Sequence, residues 1–313
     1  MIAGGNGSLG RRVAADLTQR NHDVVILTRS RRPRIAHHQA AWDGRTVGSW
    51  ATELEGAVLL NLAGELVDRR PTRRNIESLR RSRVEPTRAL AHAAAALNTP
   101  PALWLQMSTL AIYGDAGQDI VDEQHPPADG PPQMAGVARP WEDAAQRVDA
   151  ERLVVLRAGI VLDHGTPAFD RLTRLTRLGL GGRIGSGDQW TSWIHVDDFL
   201  RALRFVCDRQ ALDGVIHLTA PNPIQNRDMM AALRSALRRP WSPPTPKPLV
   251  HLGARLMGSD PALALTGRRC VPRRLLDAGF EFEHPTFDDA LADLLAPTAG
   301  ARPGRTLTVQ TRP

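Results

Sequence analysis

Short apolar runs alternate with helical repeats through the first two thirds of the chain. Residues 1–3, 23–28, 57–62, 102–108, 153–157 and 215–218 each read as a strand, short and apolar. Between them Leu9, Val13 and Leu17 recur at i, i+4 and i+8, while Ile76, Leu79, Val84 and Leu90 mark a long, arginine-rich helix running to about Leu97. Apolar runs of this kind belong to strands covered on both faces, and their alternation with helices builds a parallel sheet. The predicted fold class is therefore α/β: a Rossmann-type doubly wound parallel sheet with a smaller C-terminal substrate lobe.

From His164 onward the texture changes, to a Gly-rich loop at 179–187 and a Pro-rich connector at 240–248. The expected organisation is a dinucleotide-binding domain over 1–218, with 164–195 contributing to the second lobe, and a C-terminal domain over 219–296. The chain then crosses between lobes more than once. Residues 297–313 carry Arg, Pro and Gly without apolar periodicity and are expected to be a disordered tail. No internal repeat is visible.

Composition narrows the function classes. The 313 residues hold no long uninterrupted apolar run and no basic-then-apolar leader, so a cytoplasmic protein without membrane contact is expected. Cys207 and Cys270 lie far apart, away from any histidine at ligand spacing, and read as buried free thiols. His37 and His38 fall in an arginine-rich loop without a third ligand, so no metal site is expected. The formal net charge of +7 is interleaved with Asp and Glu and comes with no nucleic-acid motif, which excludes nucleic acid and leaves a small-molecule substrate as partner.

The candidate chemistry starts at residues 3–12, AGGNGSLGRR. They satisfy GxGxxG through Gly5, Gly7 and Gly10, and GxxGxxG through Gly4, Gly7 and Gly10, with Asn6 and Ser8 between the glycines. The first glycine makes a tight turn, the middle one lets backbone N–H groups approach a pyrophosphate, and the last lets the helix pack closely on the sheet. The helix N-terminus then faces the anion. Only three residues precede Gly4, where a full strand takes about five. Either the strand is short or the start has been set too late, and weak dinucleotide binding or poor folding is the expectation for the chain as written. At the end of the second strand stand Thr28, Arg29 and Ser30, then Arg31 and Arg32, with no acidic residue to hold a ribose 2′-OH. Guanidinium pairs with phosphate, so NADP is favoured over NAD. An arginine-rich chain also places arginines in loops without any such purpose.

Further motifs carry a family resemblance. NLAGE at 61–65, SRVEPTRAL at 82–90, STLAIYGD at 108–115 and LRAGIVL at 156–162 resemble the atypical extended short-chain dehydrogenases/reductases. GLGGRIGSGDQWTSWIHVDD at 179–198 and GRRCVPRRLLDAGFEFEHPT at 267–286 are similar to the NAD(P)-dependent epimerase family proteins with a small C-terminal domain of unknown function, a branch once labelled cell-division-inhibitor-like. The resemblance implies that pyrophosphate sits on Gly7, Ser8 and Leu9, and a 2′-phosphate near Thr28 and Arg29. It implies that Leu62 and Ala63 line the adenosine side, that Arg83 reaches back from its helix, and that Ile160 lies beside the nicotinamide. Residues 61–64 read less readily as a mere strand-end turn, while Arg83 reads equally as a solvated helix face.

Working members of the superfamily move a proton through a tyrosine whose pKa is lowered by a lysine four residues later, assisted by a Ser or Thr hydroxyl. Here the matching positions are Met134 and Ala138. The chain's one tyrosine, Tyr113, is followed by Gly, Asp, Ala and Gly, and its one lysine, Lys247, lies in the Pro-rich connector. Thr109, with Ser108 beside it, occupies the place of the assisting hydroxyl, and both also read as strand-end hydrogen-bonding residues. Tyr113 is the alternative acid, though it sits where a packing tyrosine is common. His195 in WIHVDD reads as a base oriented by Asp197 or Asp198, or as a lobe linker followed by an aspartate-capped helix. No GxSxG elbow occurs, which disfavours a serine hydrolase. Two functions follow: an atypical NADP(H)-dependent oxidoreductase or epimerase, or an inactive NADP-binding sensor or interaction protein.

Overall fold

The computed structural model describes residues 1–32, 37–239 and 241–296. The expected tail over 297–313 lies outside the described residues. Five strands come first: β1 (Ile2–Ala3), β2 (Val25–Thr28), β3 (His38–Ala41), β4 (Val58–Asn61) and β5 (Leu103–Thr109). After β6 (Ile120–Val121) come β7 (Leu153–Ala158), β8 (Ile160–Leu162), β9 (Trp190–Thr191), β10 (Trp193–His195) and β11 (Gly214–Leu218). The last two are β12 (Ile224–Gln225) and β13 (Arg269–Cys270).

Seven of these form one all-parallel sheet in the order β11-β7-β5-β4-β1-β2-β3. The chain winds outward from β1 in one direction, then returns to β4 on its other side and winds away. The β1/β4 boundary is therefore the topological switch point, the place where doubly wound sheets open a ligand crevice at their carboxyl edge. All six expected strands are present within two residues. The seventh, β3, replaces part of the loop expected around His37 and His38: its sequence HQAA gives no strand signal because this edge strand is half solvated, with only Ala40 buried.

Helices cover both faces: α1 (Ser8–Gln19), α2 (Arg73–Ala94), α3 (Ala135–Asp143) and α5 (Val196–Asp208), with α4 (Pro167–Arg177) leading into the second lobe. Successive strand residues point to opposite faces. Leu60 accordingly joins the core with Val13, Ile26 and Phe199, while Leu59 joins Leu27, Leu90 and Trp104 on the α2 side. The second lobe adds α6 (Asn226–Ala236), α7 (Lys247–Met257), α8 (Ala262–Leu265), α9 (Arg273–Asp277) and α10 (Phe287–Leu294). Phe169 of α4, Met230 and Leu233 of α6, and Phe287 and Leu291 of α10 bury a separate core around Trp193. Pairing of β13 with β6, parallel, straps the C-terminal segment to the loop after β5. Both cysteines are free thiols; Cys270 is buried, whereas Cys207 is only half-buried. Among the described residues no helix is long and apolar enough to cross a membrane.

Candidate functional site

The turn between β1 and α1 is built for close approach. Gly4 has φ +79°, and a Cβ there would stand 2.9 Å from the backbone carbonyl of Leu62, so only glycine lets the turn pass the end of β4. A Cβ on Gly10 would lie 2.6 Å from Gly5 Cα, which seats α1 directly on the turn. Gly5 packs against Ile26, where a Cβ would meet Cγ2 at 2.8 Å. Gly7 is the N-cap of α1 and offers no side chain to it. The N–H groups of Ser8, Leu9 and Gly10, which open the helix, are thus left for a ligand or solvent.

Asn6 ties this turn to β2. Its Nδ2 donates to Thr28 Oγ1 over 2.6 Å and to Ser30 O over 3.3 Å. Its Oδ1 is buried and accepts no hydrogen bond among the described residues. An orphaned buried acceptor costs about 1–3 kcal/mol, and it is the kind of group a bound ligand's donor satisfies.

Gly4, Asn6, Gly7, Thr28, Arg29, Leu62 and Ala63 all line one cavity of about 460 Å³. Gly5, Ser8, Leu9, Gly10, Arg83 and Ile160 lie outside its walls. Sequence reasoning missed Trp42, Asp43, Arg45, Ser78, Arg81 and Glu85, which also line it. Three of these follow the unread β3, and the other three lie on α2 among charges that periodicity alone does not sort. The acidic residue nearest the β3 end has its carboxylate engaged locally: Asp43 accepts from the backbone N–H of Arg45 at 2.8 Å and of Thr46 at 2.9 Å. Those bonds, that of Thr46 first, hold its pKa below the usual carboxylate range. Arg45 pairs with Glu85 at 2.8 Å. Arg29 and Arg32 have no carboxylate partner among the described residues, and both line the cavity.

The other lip is the turn after β4. Asn61 is fully buried; its Nδ2 donates to Thr87 Oγ1 (2.9 Å) and Gln106 Oε1 (3.0 Å), and its Oδ1 accepts from Ala63 N–H (3.1 Å). Arg83 reaches back from α2 to the same turn. It donates to Glu65 O at 2.9 Å and lies over the Trp141 ring at 5.1 Å. Desolvation, opposed by the charge of Glu65, lowers its pKa to about 10. The guanidinium braces the turn from outside the cavity and is no solvated helix face.

At the end of β5 the candidate catalytic groups divide. Ser108 is buried and donates to Glu142 Oε1 at 2.5 Å. Glu142 accepts Nε and Nη2 of Arg157 at 2.9 and 2.7 Å, and Arg157 Nη1 donates to Tyr113 OH at 2.6 Å. Tyr113 OH lies 2.7 Å from His217 Nε2, and His217 Nδ1 lies 3.0 Å from Val271 O. A carbonyl only accepts, so Nδ1 carries the proton and Tyr113 donates to Nε2. Burial raises the Tyr113 pKa against the opposing charge of Arg157, and burial lowers that of His217 to about 4. Thr109 differs: it is half-buried, its Oγ1 accepts from Ala111 N–H at 3.1 Å, and its hydroxyl proton has no acceptor among the described residues. Met134 and Ala138, at the positions the resemblance gives to tyrosine and lysine, are 2% and 1% exposed. Arg268, which the sequence reading passed over, places Nη2 at 3.8 Å from Met134 Sδ.

His195 is the N-cap of α5, in place of the expected Asp197 or Asp198: its Nδ1 accepts from Asp197 N–H at 3.2 Å. Asp198 instead accepts from Glu283 N–H and His284 N–H, each at 2.8 Å. The His195 ring stacks on His284 with centroids 3.9 Å apart, and its Nε2 lies 3.3 Å from Asp293 Oδ2. Ligand atoms of His195, Asp197, His284 and Asp293 lie within 4.8 Å of one another. Because Nδ1 is committed to the cap, the neutral ring carries its proton on Nε2, which is buried and makes no hydrogen bond among the described residues. Ile160 opens β8, opposite Trp193, and is partly exposed.

Residues 1–134 match the model of the NAD dependent epimerase/dehydratase family, and residues 245–294 match a domain of unknown function, DUF1731. The epimerase family protein SDR39U1 of Bos taurus is 33% identical over 303 residues, covering 95% of this chain and 99% of that protein. An epimerase family protein of Mycobacterium leprae is 33% identical over 299 residues, covering 93% and 94%. The crystal structure of human SDR39U1 (isoform 2) with NADPH gives a TM-score of 0.83 at 29% identity, covering 94% of this chain and 98% of that one. The nucleoside-diphosphate sugar epimerase from Corynebacterium glutamicum gives 0.75 at 28% identity, covering 94% of this chain and 57% of that one. The chain therefore belongs to the NAD-dependent epimerase/dehydratase family, among the epimerase family proteins that carry this C-terminal domain.

Proposed function

We propose that this protein binds NADP(H) across the β1/β4 switch point and uses it on a small-molecule substrate held against the second lobe. The observation that carries the proposal is the cavity itself, with the Gly4–Gly7 turn on one wall and, on another, Arg29 and Arg32, which have no carboxylate partner among the described residues. The orphaned Asn6 Oδ1 and the absence of room for a side chain at Gly4 fit a dinucleotide. The NADPH in the human relative's structure supports the phosphorylated form. Gly7, Ser8 and Leu9 would hold the pyrophosphate, Thr28 and Arg29 the 2′-phosphate, and Leu62 and Ala63 the adenosine side. Gly5 and Gly10 set the turn, Arg83 fixes the β4 lip, and Ile160 stands toward the nicotinamide end. Bound there, the cofactor supplies a hydride donor or acceptor. Thr109 keeps a hydroxyl proton free to hydrogen-bond a substrate oxygen, whereas the hydroxyls of Ser108 and Tyr113 are already spent.

A second reading, binding without turnover as a redox sensor or interaction protein, draws support from the buried Met134 and Ala138 at the dyad positions. Fluorescence titration with NADPH and NADH tests the shared premise. The expected result is NADPH binding at least about tenfold tighter, with the gap closing in Arg29→Ala; no binding of either nucleotide overturns both readings. A screen of aldehydes, ketones and nucleotide sugars for NADPH oxidation then separates them. Turnover lost in Thr109→Val and kept in Tyr113→Phe supports the first reading, and binding with no turnover the second.

A further inference from the structure

His195 ends β10, which pairs with β8, and caps α5. Packing therefore fixes its ring, which is 1% exposed. Its Nε2 is shielded from water and meets no partner among the described residues, an unfavourable state for a buried polar atom. Three groups surround the ring. His284 stacks on it, Asp293 Oδ2 lies 3.3 Å from Nε2, and Asp197 Oδ2 lies 3.9 Å from Nδ1. One ligand atom from each of the four residues falls within 4.8 Å of the others. The 3.3 Å between Nε2 and the Asp293 oxygen carries no hydrogen bond. It does match two ligands of one tetrahedral zinc ion, whose bonds of about 2.0–2.2 Å set ligand atoms about 3.3–3.6 Å apart.

The histidines are held in place and the carboxylates are free to close. The backbone N–H groups of Glu283 and His284 both donate to the buried carboxylate of Asp198 at 2.8 Å. Asp197 and Asp293 have side chains 55% and 57% exposed, and neither pairs with an arginine or lysine among the described residues. The nearby cations are engaged elsewhere: Arg201 with Asp198 and Glu283, and Arg12 with Asp163. A metal on Nε2 requires the ring proton on Nδ1. Without metal the ring has the other tautomer, since Nδ1 accepts from Asp197 N–H at 3.2 Å. Metal binding thus exchanges one cap bond for a metal–nitrogen bond: Nε2 gives its proton to solvent and Nδ1 takes one up. The new Nδ1–H then faces the Asp197 carboxylate, the partner that orients a metal-bound imidazole. Imidazole with carboxylate suits zinc-type ions, whereas magnesium and calcium take oxygen ligands.

We propose that His195, His284 and Asp293, with Asp197 beside Nδ1, form a site for a divalent transition-metal ion of the zinc type, which ties α5 on the sheet to α10 in the second lobe. None of the four lines the dinucleotide cavity, so the site stands independently of the cofactor reading. The ligands lie far apart along the chain, beyond the reach of a search by short ligand spacing.

Calorimetric titration of the chelator-treated full chain with zinc chloride tests this, with magnesium chloride as the comparison. Zinc is expected to bind, and magnesium at least about tenfold more weakly. His195→Gln disturbs a buried cap and risks misfolding, so the deciding variants are His284→Gln and Asp293→Asn, whose side chains reach solvent. Each is expected to weaken zinc at least about tenfold. Zinc at about 100 times its Kd is expected to raise the melting temperature of the wild type by a few degrees, and to raise that of Asp293→Asn less. The proposal is overturned if zinc does not bind the wild type, if magnesium binds as tightly as zinc, or if both variants bind zinc as the wild type does, which would put the ion elsewhere. Binding that leaves the melting temperature of the wild type unchanged overturns the tie between the helices.

Discussion

Two glycines three residues apart separate folding from binding. At Gly10 an added Cβ would press on Gly5 Cα and Gly4 O, at 2.6 and 2.8 Å, and both obstacles are backbone. Gly10→Ala is expected to cost about 1–3 kcal/mol, since only movement of α1 relieves the contact. At Gly7 the nearest atom is Gly4 O at 3.3 Å, and φ is −68°, which any residue adopts. Gly7→Ala is expected to leave stability within about 1 kcal/mol while weakening NADPH at least about tenfold, because the methyl group occupies the approach to the helix N-terminus. Urea unfolding and NADPH titration of the two variants check this, and equal losses in both properties for both variants would refute it. Glu142 poses a different residue-scale question. It accepts from Ser108 and twice from Arg157, and its side chain is 10% exposed. Glu142→Ala leaves a guanidinium buried without its counter-charge, and the expected loss is about 3–5 kcal/mol in urea unfolding.

Between elements the same chemistry is worth less when water reaches it. Arg12 of α1 holds Asp163, just past β8, through bonds of 2.7 and 2.5 Å, joining α1 to the segment between β8 and α4. Arg12 is half exposed, so solvent screens the pair, and Asp163→Asn is expected to cost about 1 kcal/mol, well short of Glu142→Ala in the same assay. The elements themselves were largely legible. Period and apolar run length located six sheet strands, α1, α2 and the glycine turn, because those segments are buried on both faces or on a clear stripe. The edge strand β3 carries no such mark in HQAA, and with it went Trp42, Asp43 and Arg45 of the cavity wall. Parallel pairing also hides partners. Tyr113 and His217 are 104 positions apart, and only the register of β5, β7 and β11 brings the Ser108-to-His217 network together. The cap of α5 escaped for a chemical reason: a histidine ring nitrogen does there what an aspartate was expected to do.

On the scale of the whole molecule, two buried histidines make stability depend on pH. His217 is fully buried, and desolvation with the nearby charge of Arg157 holds its pKa at about 4, against the pull of Val271 O and Asp122. His195, packed between the lobes, is shifted the same way by burial and by His284. An unfolded histidine titrates at about 6.5, so on acidification the unfolded chain takes up protons first. The stability is therefore complete above about pH 6.5, is lost as the pH falls toward about 4, and amounts to about 3 kcal/mol for His217. Glu123, whose carboxylate accepts from His217 N–H and whose pKa is raised by burial, acts in the opposite sense. There the folded state binds the proton first, which flattens the acid end of the curve. His217→Gln keeps an acceptor for Tyr113 and a donor for Val271 while removing the titration. Urea unfolding between about pH 7 and 4 should show a steep decline in the wild type and a shallower one in His217→Gln. Equal slopes in the two proteins would shift the acid sensitivity of the fold from this network to the His195–His284 contact between the lobes.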